Sequence, residues 1–292
     1  MTATPHRPNI LLLMADQLSA TAMSCAGNRE VNTPALDGIA RAGVRFDNAY
    51  CTYPLCTPAR ASIFAGRFPH ELAIQTDGGQ IPDQFQQHEL GHLLSKEGYE
   101  CAYGGKWHVP EMSIPSGHGF RRICGLDDAR LPAACAEFFS EDRDRPFFLV
   151  ASFENPHNIC EWRYQHILPW GPVGPPPLVE DCPSLPATCA TPLFDPEPVR
   201  LKRSNDPRIC PGSQYSHEQW RRYRWAYFRL VEKVDACIGE ILSSLHRNGL
   251  ENNTIVIFSS DHGDHHAEHN LIQKSLPYDA GARDPFIINF QG

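Results

Sequence analysis

The sequence predicts an α/β fold with a mostly parallel central sheet and helices on both of its faces. Apolar runs that suit buried strands, such as residues 9–15, 146–153 and 254–258, alternate with segments of helical apolar spacing. This alternation is typical of a parallel sheet covered by helices. Of the 292 residues, 41% are hydrophobic and 21% charged, which are ordinary globular values. We therefore expect one large α/β domain over residues 1–292.

The N-terminal part of the chain contains predicted strands and helices in turn. The first strand ends at Asp16. Thr33 and Pro34 predict the N-cap and the first residue of a helix, because a hydroxyl can accept a backbone N–H and proline suits the first helical position. Gly43 is a typical stop for that helix. The next predicted elements are a strand at 44–49, helices at 57–65 and 88–97, and a strand at 99–103.

The C-terminal part contains a long helix after an irregular segment. A helix at 131–141 and the strand at 146–153 precede residues 158–215, which are rich in proline and lack periodicity. A segment of that kind predicts an irregular excursion over one face of the fold. Ser216 and Gln219 have the spacing of a capping box, and an apolar stripe follows them until Gly249. Strands at 254–258 and 285–290 complete the prediction.

Charge and cysteine content exclude some classes of protein. The formal net charge is −8, which disfavours binding to nucleic acid but leaves a small anionic ligand possible at a local site. No apolar run approaches the length of a membrane span, and the run at 10–15 is short even for a signal peptide. The 11 cysteines include no C-x-x-C pair, which is typical of reduced thiols. We expect a cytoplasmic protein without membrane contact, and we leave its oligomeric state open.

Polar side chains follow each predicted strand at the point where that strand ends. Asp16 and Gln17 follow the first strand, and Lys106 and His108 follow the strand at 99–103. Ligands of open α/β sheets bind beyond the carboxyl ends of the strands. We therefore expect one site at this edge, to which the later strands add Asn155, His157 and the run Asp261-His262-Gly263-Asp264.

The residue types at these strand ends suit a divalent cation. Asp16, Gln17, Asp261 and His262 offer mostly hard oxygen atoms and one imidazole nitrogen, which favours Ca²⁺, Mg²⁺ or Mn²⁺ over structural zinc. A zinc site on a helix is the alternative, because two histidine pairs have i,i+4 spacing, namely His262 with His266 and His265 with His269. The zincin pattern that would support zinc is absent, so we favour the hard cation.

Cys56 and Arg60 form the candidate nucleophilic centre. Cys56 lies at the predicted start of a helix, where backbone N–H groups and the helix dipole favour an anion. Arg60 follows one turn later and presents its guanidinium on the same face. A buried structural thiol is the alternative for Cys56. We favour a functional thiol that is partly exposed at the start of the helix.

The segment Cys56-Thr57-Pro58-Ala59-Arg60 resembles the C-x-P-x-R signature of the formylglycine-dependent sulfatases, a branch of the alkaline-phosphatase-like superfamily. C-x-P-x-R alone is a weak pattern, but further blocks resemble the family in the same order. Together they cover nearly the whole chain except 158–215. These blocks are 7–10, 14–17, 32–37, 104–108, 155–157, 260–264, 267–269, Lys274, 278–283 and 285–288.

The resemblance implies hydrolysis of a sulfate ester. A formylglycine-generating enzyme would act as a transient partner and oxidise Cys56 to an aldehyde. One hydroxyl of the hydrated aldehyde would attack the sulfur of a small anionic ester substrate and release its alcohol. The other hydroxyl would then lose a proton and expel sulfate from residue 56. Residue 56 would also bind the cation. The resemblance also implies that Arg60 orients the hydrated aldehyde and that Lys106 and Lys274 contact the sulfate oxygens. His108 would assist the elimination of sulfate, and His157 would donate a proton to the leaving alcohol.

The residues expected to bind the cation depart from the common sulfatase pattern and leave alternatives open. Many sulfatases have two aspartates at the positions of Asp16 and Gln17 and an asparagine at that of His262. The combination in this chain is similar to choline-sulfatase-like enzymes and phosphonate monoester hydrolases, so Ca²⁺ is expected with Mn²⁺ as the alternative. A phosphonate monoester or phosphodiester is then the alternative substrate.

Sulfatases also continue into a smaller C-terminal subdomain, which we expect to be missing from this chain. A catalytically silent sulfatase-like protein that only binds a metal or an anion is therefore a further alternative. A kinase or NTPase is disfavoured, because Gly104-Gly105-Lys106 lacks the spacing and the following hydroxyl residue of a phosphate-binding loop.

Overall fold

A computed structural model describes residues 7–206, 209 and 215–290. Within these residues one seven-stranded sheet has the strand order β2-β7-β6-β1-β5-β3-β4. Strands β6, β1, β5, β3 and β4 run parallel, whereas β7 is antiparallel to both β6 and β2, so the predicted mostly parallel sheet is confirmed. The strands are β1 (Asn9–Asp16), β2 (Val44–Phe46), β3 (Glu100–Gly105), β4 (Arg121–Cys124), β5 (Phe147–Pro156), β6 (Thr254–Ser260) and β7 (Phe286–Asn289).

Helices cover both faces of this sheet. Alternate residues of β1 point to opposite faces, as a strand requires. Leu11 and Leu13 join a core with α1, α5 and α8, whereas Leu12 and Met14 join a core with α2 and α4. The α-helices are α1 (Pro34–Ala42), α2 (Cys56–Ala65), α3 (Asp83–Gln86), α4 (Leu90–Lys96), α5 (Leu131–Phe139), α6 (Ile159–Arg163), α7 (Glu197–Asn205), α8 (His217–Arg247) and α9 (Asp279–Ala282).

The long helix α8 supports one face of the sheet. Its first turn has the predicted capping box, in which the Ser216 side chain accepts the N–H of Gln219 and the Gln219 side chain accepts the N–H of Ser216. Its buried residues include Tyr223 and Tyr227, which reach the loops at the edge of the sheet. Among the described helices, none is both long enough and apolar enough to span a bilayer.

Thr33, Pro34 and Gly43 bound α1 as predicted, but the predicted hydroxyl cap is wrong. The Thr33 side chain makes no capping hydrogen bond, and its hydroxyl instead accepts the N–H of Ser24 at 2.9 Å. The carboxylate of Asp235, from the middle of α8, accepts the N–H groups of Ala35 and Leu36 at 3.1 and 2.8 Å. A carboxylate suits the positive end of a helix, so a contact distant in sequence replaces the local cap.

Several element boundaries also differ from the prediction. Strands β3, β5 and β6 extend to Gly105, Pro156 and Ser260, because pairing with neighbours continues their hydrogen bonding. The edge strand β4 was not predicted, since its sequence Arg-Arg-Ile-Cys has no apolar run. The described part of the excursion contains two short helices, α6 and α7, whereas residues 207, 208 and 210–214 lie outside the described residues.

Replacing Asp235 with asparagine tests this cap. The Asp235→Asn variant should lower the free energy of unfolding by about 1.5–3 kcal/mol, because a charge-assisted hydrogen bond to the α1 N-terminus is lost. Urea unfolding followed by circular dichroism measures this change. A free energy of unfolding equal to that of the wild type would show that Asp235 does not stabilise α1.

Candidate active site

The carboxyl ends of β1, β3, β5 and β6 lie side by side at one edge of the sheet. In the parallel pairing, Asp16 at the end of β1 lies opposite Pro156 of β5. The preceding Ala15 lies opposite Ser260 of β6, and β3 runs beside β5 in the same direction. The loops that leave these strands therefore meet, and they bring together the polar side chains that sequence analysis placed at this edge.

Cys56 is the first residue of α2 and faces this edge. Its Sγ lies 3.2 Å from Nε2 of His262 and 3.7 Å from Oδ1 of Asp16. The residue is only 1% exposed, so the expected partial exposure is wrong. Burial and Asp16 act to raise the pKa of the thiol, but Lys274, His262 and Lys106 hold that pKa well below its usual range. The electrostatic surroundings of residue 56 therefore favour an anion.

Four residues could hold a cation together. Asp16, Cys56, Asp261 and His262 each offer one donor atom, and these atoms lie within 4.8 Å of one another. The Nε2 atom of His262 lies 3.7 Å from Oδ1 of both carboxylates. All four side chains are almost fully buried. Two carboxylate oxygens and an imidazole nitrogen suit a divalent cation such as Ca²⁺ or Mn²⁺.

The charges at this cluster also fit a cation. Burial and the neighbouring Asp16 raise the pKa of Asp261, which shows that a second negative charge is costly there. Burial acts to lower the pKa of the His262 imidazole, but Asp261 and Cys56 raise it to about 9. A divalent cation would relieve the repulsion between the two carboxylates, so the residues present fit one.

Arg60 joins the cluster to the sheet. Its Nε donates to Oδ2 of Asp261 at 2.7 Å, and one NH2 nitrogen lies 3.4 Å from Oδ2 of Asp16. Its other terminal nitrogen donates to the carbonyl of Lys106 and to Oγ of Ser152. Because Arg60 takes the Oδ2 atoms of both aspartates, their Oδ1 atoms are left on the side of His262.

Lys106 presents its ammonium group to the same cluster. Its Nζ lies 2.7 Å from Oδ2 of Asp16 and 3.6 Å from Oε1 of Glu154. The preceding Gly105 has a φ of +92°, and a Cβ there would lie 1.9 Å from the carbonyl oxygen of Ser152. Only glycine fits this turn, which directs Lys106 from the end of β3 into the site.

Gln17 and Lys274 contact each other. The Nζ of Lys274 donates to Oε1 of Gln17 at 2.5 Å, and Nε2 of Gln17 donates to Oδ2 of Asp264 at 2.6 Å. Both residues are buried. Gln17 therefore lies beside Asp16 as expected, and its role as a cation ligand stays a prediction.

The two candidate catalytic histidines lie beside Cys56. The carbonyl of His108 accepts the Thr57 hydroxyl at 2.9 Å, and one ring nitrogen lies within 4.8 Å of Cys56 Sγ and of a carboxylate oxygen of Asp77. Burial of the ring and the two lysines Lys274 and Lys106 lower the pKa of His157 to about 4. His157 is therefore neutral at pH 7 in the free protein.

The alternative zinc site on a helix is wrong. Residues 261–267 form no helix, and only a single 3-10 turn follows, at Glu268–Asn270. His266 shares a 2.6 Å hydrogen bond with Arg224, and both ring nitrogens of His265 are buried without a hydrogen-bond partner. Positive φ angles at His266 and His269 break the i,i+4 geometry that the zinc prediction needed.

Sequence analysis gave no role to three acidic residues near the site. Glu154 follows the same strand as His157, so the strand-end argument could have included it. Asp264 was part of the recognised block, but its contact with Gln17 joins residues 247 positions apart. Asp77 accepts the N–H of Thr57 from a loop that carried no sequence signal.

The fold and the site define an α/β protein with a buried cluster of carboxylates, lysines and a thiol at the carboxyl edge of its sheet. The family model described as Sulfatase matches residues 8–292, so the chain belongs to the sulfatase family. The chain is 27% identical to the Delta 4,5-hexuronate-2-O-sulfatase of Bacteroides thetaiotaomicron over 97% of its own length and 62% of that protein. It is 28% identical to the choline-sulfatase of Rhizobium meliloti, over 98% and 63% of the two chains.

Solved structures agree with this assignment. The structure of a 2-O GAG sulfatase matches with a TM-score of 0.82 and 26% identity, over 98% of this chain and 64% of that one. The phosphonate monoester hydrolase of Agrobacterium radiobacter matches with a TM-score of 0.77 and 20% identity, over 98% and 68% of the two chains, and shows the shared fold. The chain spans 62% and 63% of the two curated relatives named above.

The cation site can be tested by removing one carboxylate. Asp261→Ala should lose bound Ca²⁺ or Mn²⁺, because one carboxylate and one imidazole are too few ligands for a hard cation. Elemental analysis of the purified protein measures the metal content. Asp142→Ala, at an exposed aspartate that precedes β5 at the opposite edge of the sheet, is the control and should keep its metal. Stoichiometric metal in Asp261→Ala would show that the site is elsewhere.

Proposed function

We propose that this protein hydrolyses a sulfate ester of a small molecule, with residue 56 as the nucleophile after oxidation of Cys56 to formylglycine. Membership of the sulfatase family supports this proposal. The observation that carries it is the position of Cys56 at the start of α2, buried between Asp16 and His262. A structural thiol would not need three cationic side chains around it, yet Lys106, Lys274 and His262 all act on Cys56.

The cations around residue 56 suit an anionic ester. The negative oxygens of a sulfate ester repel a nucleophile, so the site must neutralise their charge as the reaction proceeds. In this proposal, Lys106 and Lys274, whose positive charges act on Cys56, bind those oxygens. Arg60 orients residue 56 through the aspartates that it holds, and its guanidinium also donates to the carbonyl of Lys106 and to Ser152.

The proposed cation is held by Asp16, Asp261, His262 and residue 56, with Gln17 as the predicted additional ligand. When bound, a divalent cation lowers the pKa of the hydroxyl at residue 56 and offsets charge on the ester oxygens. We propose Ca²⁺, with Mn²⁺ as the alternative. The imidazole of His262 among the ligands supports keeping Mn²⁺ in consideration, because imidazole suits transition metals.

The two histidines complete the proposed chemistry. His157 donates a proton to the leaving alcohol, and His108 removes a proton from residue 56 when sulfate departs. His157 is neutral in the free protein, since burial and the two lysines lower its pKa to about 4. It can carry a proton only after the negative charge of the bound ester offsets those lysines.

A phosphonate monoester or phosphodiester is the second candidate substrate. The observation that favours it is the donor set, in which Gln17 and His262 replace two of the acidic or amide ligands common among sulfatases. This donor set places less negative charge on the cation than one with three aspartates. Such a difference in charge changes how strongly the cation polarises a bound ester. The rates with sulfate esters and with phosphonate monoesters or phosphodiesters therefore have to be compared directly.

We also propose a transient complex with a formylglycine-generating enzyme and a cytoplasmic location. The segment from Cys56 to Arg60 supports the first of these. The ten cysteines in the described part of the chain are all free thiols, which supports a reducing compartment. A catalytically silent binding protein remains the alternative to be tested by conversion of Cys56.

Conversion of Cys56 is the decisive test of this mechanism. After co-expression with a formylglycine-generating enzyme, the peptide from Leu55 to Arg60 should have the mass of an aldehyde and react with a hydrazide probe. Hydrolysis of an aryl sulfate should rise with the converted fraction. Cys51→Ala is the matched control and should keep this activity. Full turnover by protein whose Cys56 is still a thiol would overturn the mechanism.

Serine at position 56 separates attack from release. In Cys56→Ser the hydroxyl can attack sulfur and expel the alcohol, but it cannot expel sulfate from itself. We expect one equivalent of alcohol to be released and sulfate to remain on the serine, which intact-protein mass spectrometry detects. Repeated turnover by Cys56→Ser would contradict the role of the second hydroxyl.

Relative rates decide between the two substrate classes. If sulfate esters are the substrates, kcat/KM for an aryl sulfate should exceed that for the matching phosphonate monoester and phosphodiester. The three esters should share one aryl leaving group so that only the transferred group differs. A higher kcat/KM for the phosphonate would favour the second candidate.

A further inference from the structure

The carboxamide and backbone of Gln17 are held completely by the protein. Its N–H donates to Oδ1 of Asp261 at 3.1 Å, and its carbonyl accepts the Tyr227 hydroxyl at 2.8 Å. Its side chain lies between Lys274, which donates to Oε1, and Asp264, which accepts from Nε2. Gln17 has a φ of +70°, a backbone conformation that is uncommon for residues other than glycine.

Asp264 is buried and fully occupied by donors. Its Oδ1 accepts the N–H of His266 at 2.6 Å. Its Oδ2 accepts Nε2 of Gln17 at 2.6 Å, the Tyr223 hydroxyl at 2.9 Å and the N–H of Gln273 at 3.1 Å. With 0% exposure, this carboxylate has no solvent contact. Its position is therefore set by α8 and by the loop that follows β6.

We propose that Asp264 is a positioning residue that orients the carboxamide of Gln17, so that Oε1 faces Lys274 and the cation site. A buried partner of a ligand commonly fixes the orientation of that ligand, and here the partner is a carboxylate that can only accept hydrogen bonds. The inference rests on the proposed function in assuming that a cation binds beside Asp16 with Gln17 among its ligands.

A rotation of the carboxamide by half a turn would create two repulsive contacts. Nε2 of Gln17 would then face the ammonium group of Lys274, donor against donor, and Oε1 would face the carboxylate of Asp264, acceptor against acceptor. Neither contact can be relieved by water, because all three side chains are buried. Unpaired buried polar groups are costly, so the observed orientation is strongly preferred.

The same geometry explains why an amide suits position 17. A carboxylate there would meet Oδ2 of Asp264 at the present 2.6 Å hydrogen-bond distance, and two buried negative charges would repel. Glutamine instead gives Lys274 an acceptor oxygen and Asp264 an N–H donor. Tyr223 and Tyr227, one turn apart on α8, hold Asp264 and the backbone of Gln17 respectively.

Binding of Mn²⁺ to the protein without substrate tests this proposal. Asp264→Asn should weaken the Kd for Mn²⁺, followed by electron paramagnetic resonance, by about tenfold to a hundredfold, the usual cost of losing a partner of a ligand. The amide of asparagine can present a donor to Nε2, which lets the Gln17 carboxamide rotate. Tyr223→Phe leaves the carboxylate in place and should weaken Mn²⁺ binding less.

A double-mutant cycle separates positioning from general stability. In a Gln17→Met background there is no carboxamide to orient, so Asp264→Asn should change the Kd far less than it does in the wild type. If Asp264 only stabilised the fold, its effect would be the same in both backgrounds to within about twofold. Asp235→Asn, a buried aspartate remote from the site, is the matched control and should leave the Kd unchanged.

The outcomes distinguish this inference from the proposed function. A Kd of Asp264→Asn equal to that of the wild type, or equal effects in the two backgrounds, would overturn the inference alone. Absence of Mn²⁺ binding by the wild type would overturn the proposed Mn²⁺-binding site and the inference with it. If Asp264→Asn does not fold, Gln17→Glu takes its place, because a second carboxylate beside Asp264 should weaken the Kd for Mn²⁺. A Kd of Gln17→Glu equal to or lower than that of the wild type would overturn the inference.

Discussion

The pair of buried carboxylates, Asp16 and Asp261, is the constraint on which the rest of the site depends. Asp16 ends β1 and Asp261 follows β6, the neighbouring strand of the sheet, so the fold brings two buried carboxylates together. The protein offsets this cost with Arg60, which contacts both carboxylates, and with Lys106, which contacts Asp16. Because these cations occupy the Oδ2 atoms, the Oδ1 atoms remain for a further positive charge.

The helices determine which side chains can reach that pair. The start of α2 carries Cys56 to within hydrogen-bond distance of His262, and Arg60, one turn later on the same helix, reaches back to the strand ends. On the other side, α8 contributes the hydroxyls of Tyr223 and Tyr227. Buried charges are costly unless they are paired, and two helices from opposite faces of the sheet supply some of the partners.

Much of the fold could be predicted from local patterns, and the failures have clear physical causes. Buried parallel strands read as apolar runs, so β1, β5 and β6 were recognisable, whereas the polar edge strand β4 was not. The capping box of α8 is a local hydrogen-bond pattern and was confirmed. The start of α1 at Thr33 and Pro34 was also predicted, but the group that caps it was not, because the carboxylate of Asp235 comes from a residue about 200 positions away.

By itself, the sequence determined the class of fold, the edge of the sheet at which the candidate site lies and the residues that carry the family signature. These are local features, because strand ends and short motifs involve residues that are close in the chain. Only the tertiary structure decided that Cys56 is buried, that the histidines after β6 lie on no common helix, and that Gln17 joins Asp264 to Lys274. These facts depend on distances between residues far apart in the chain. Hydrogen bonding and charge act over a few ångströms in space, and spacing along the sequence does not encode such distances.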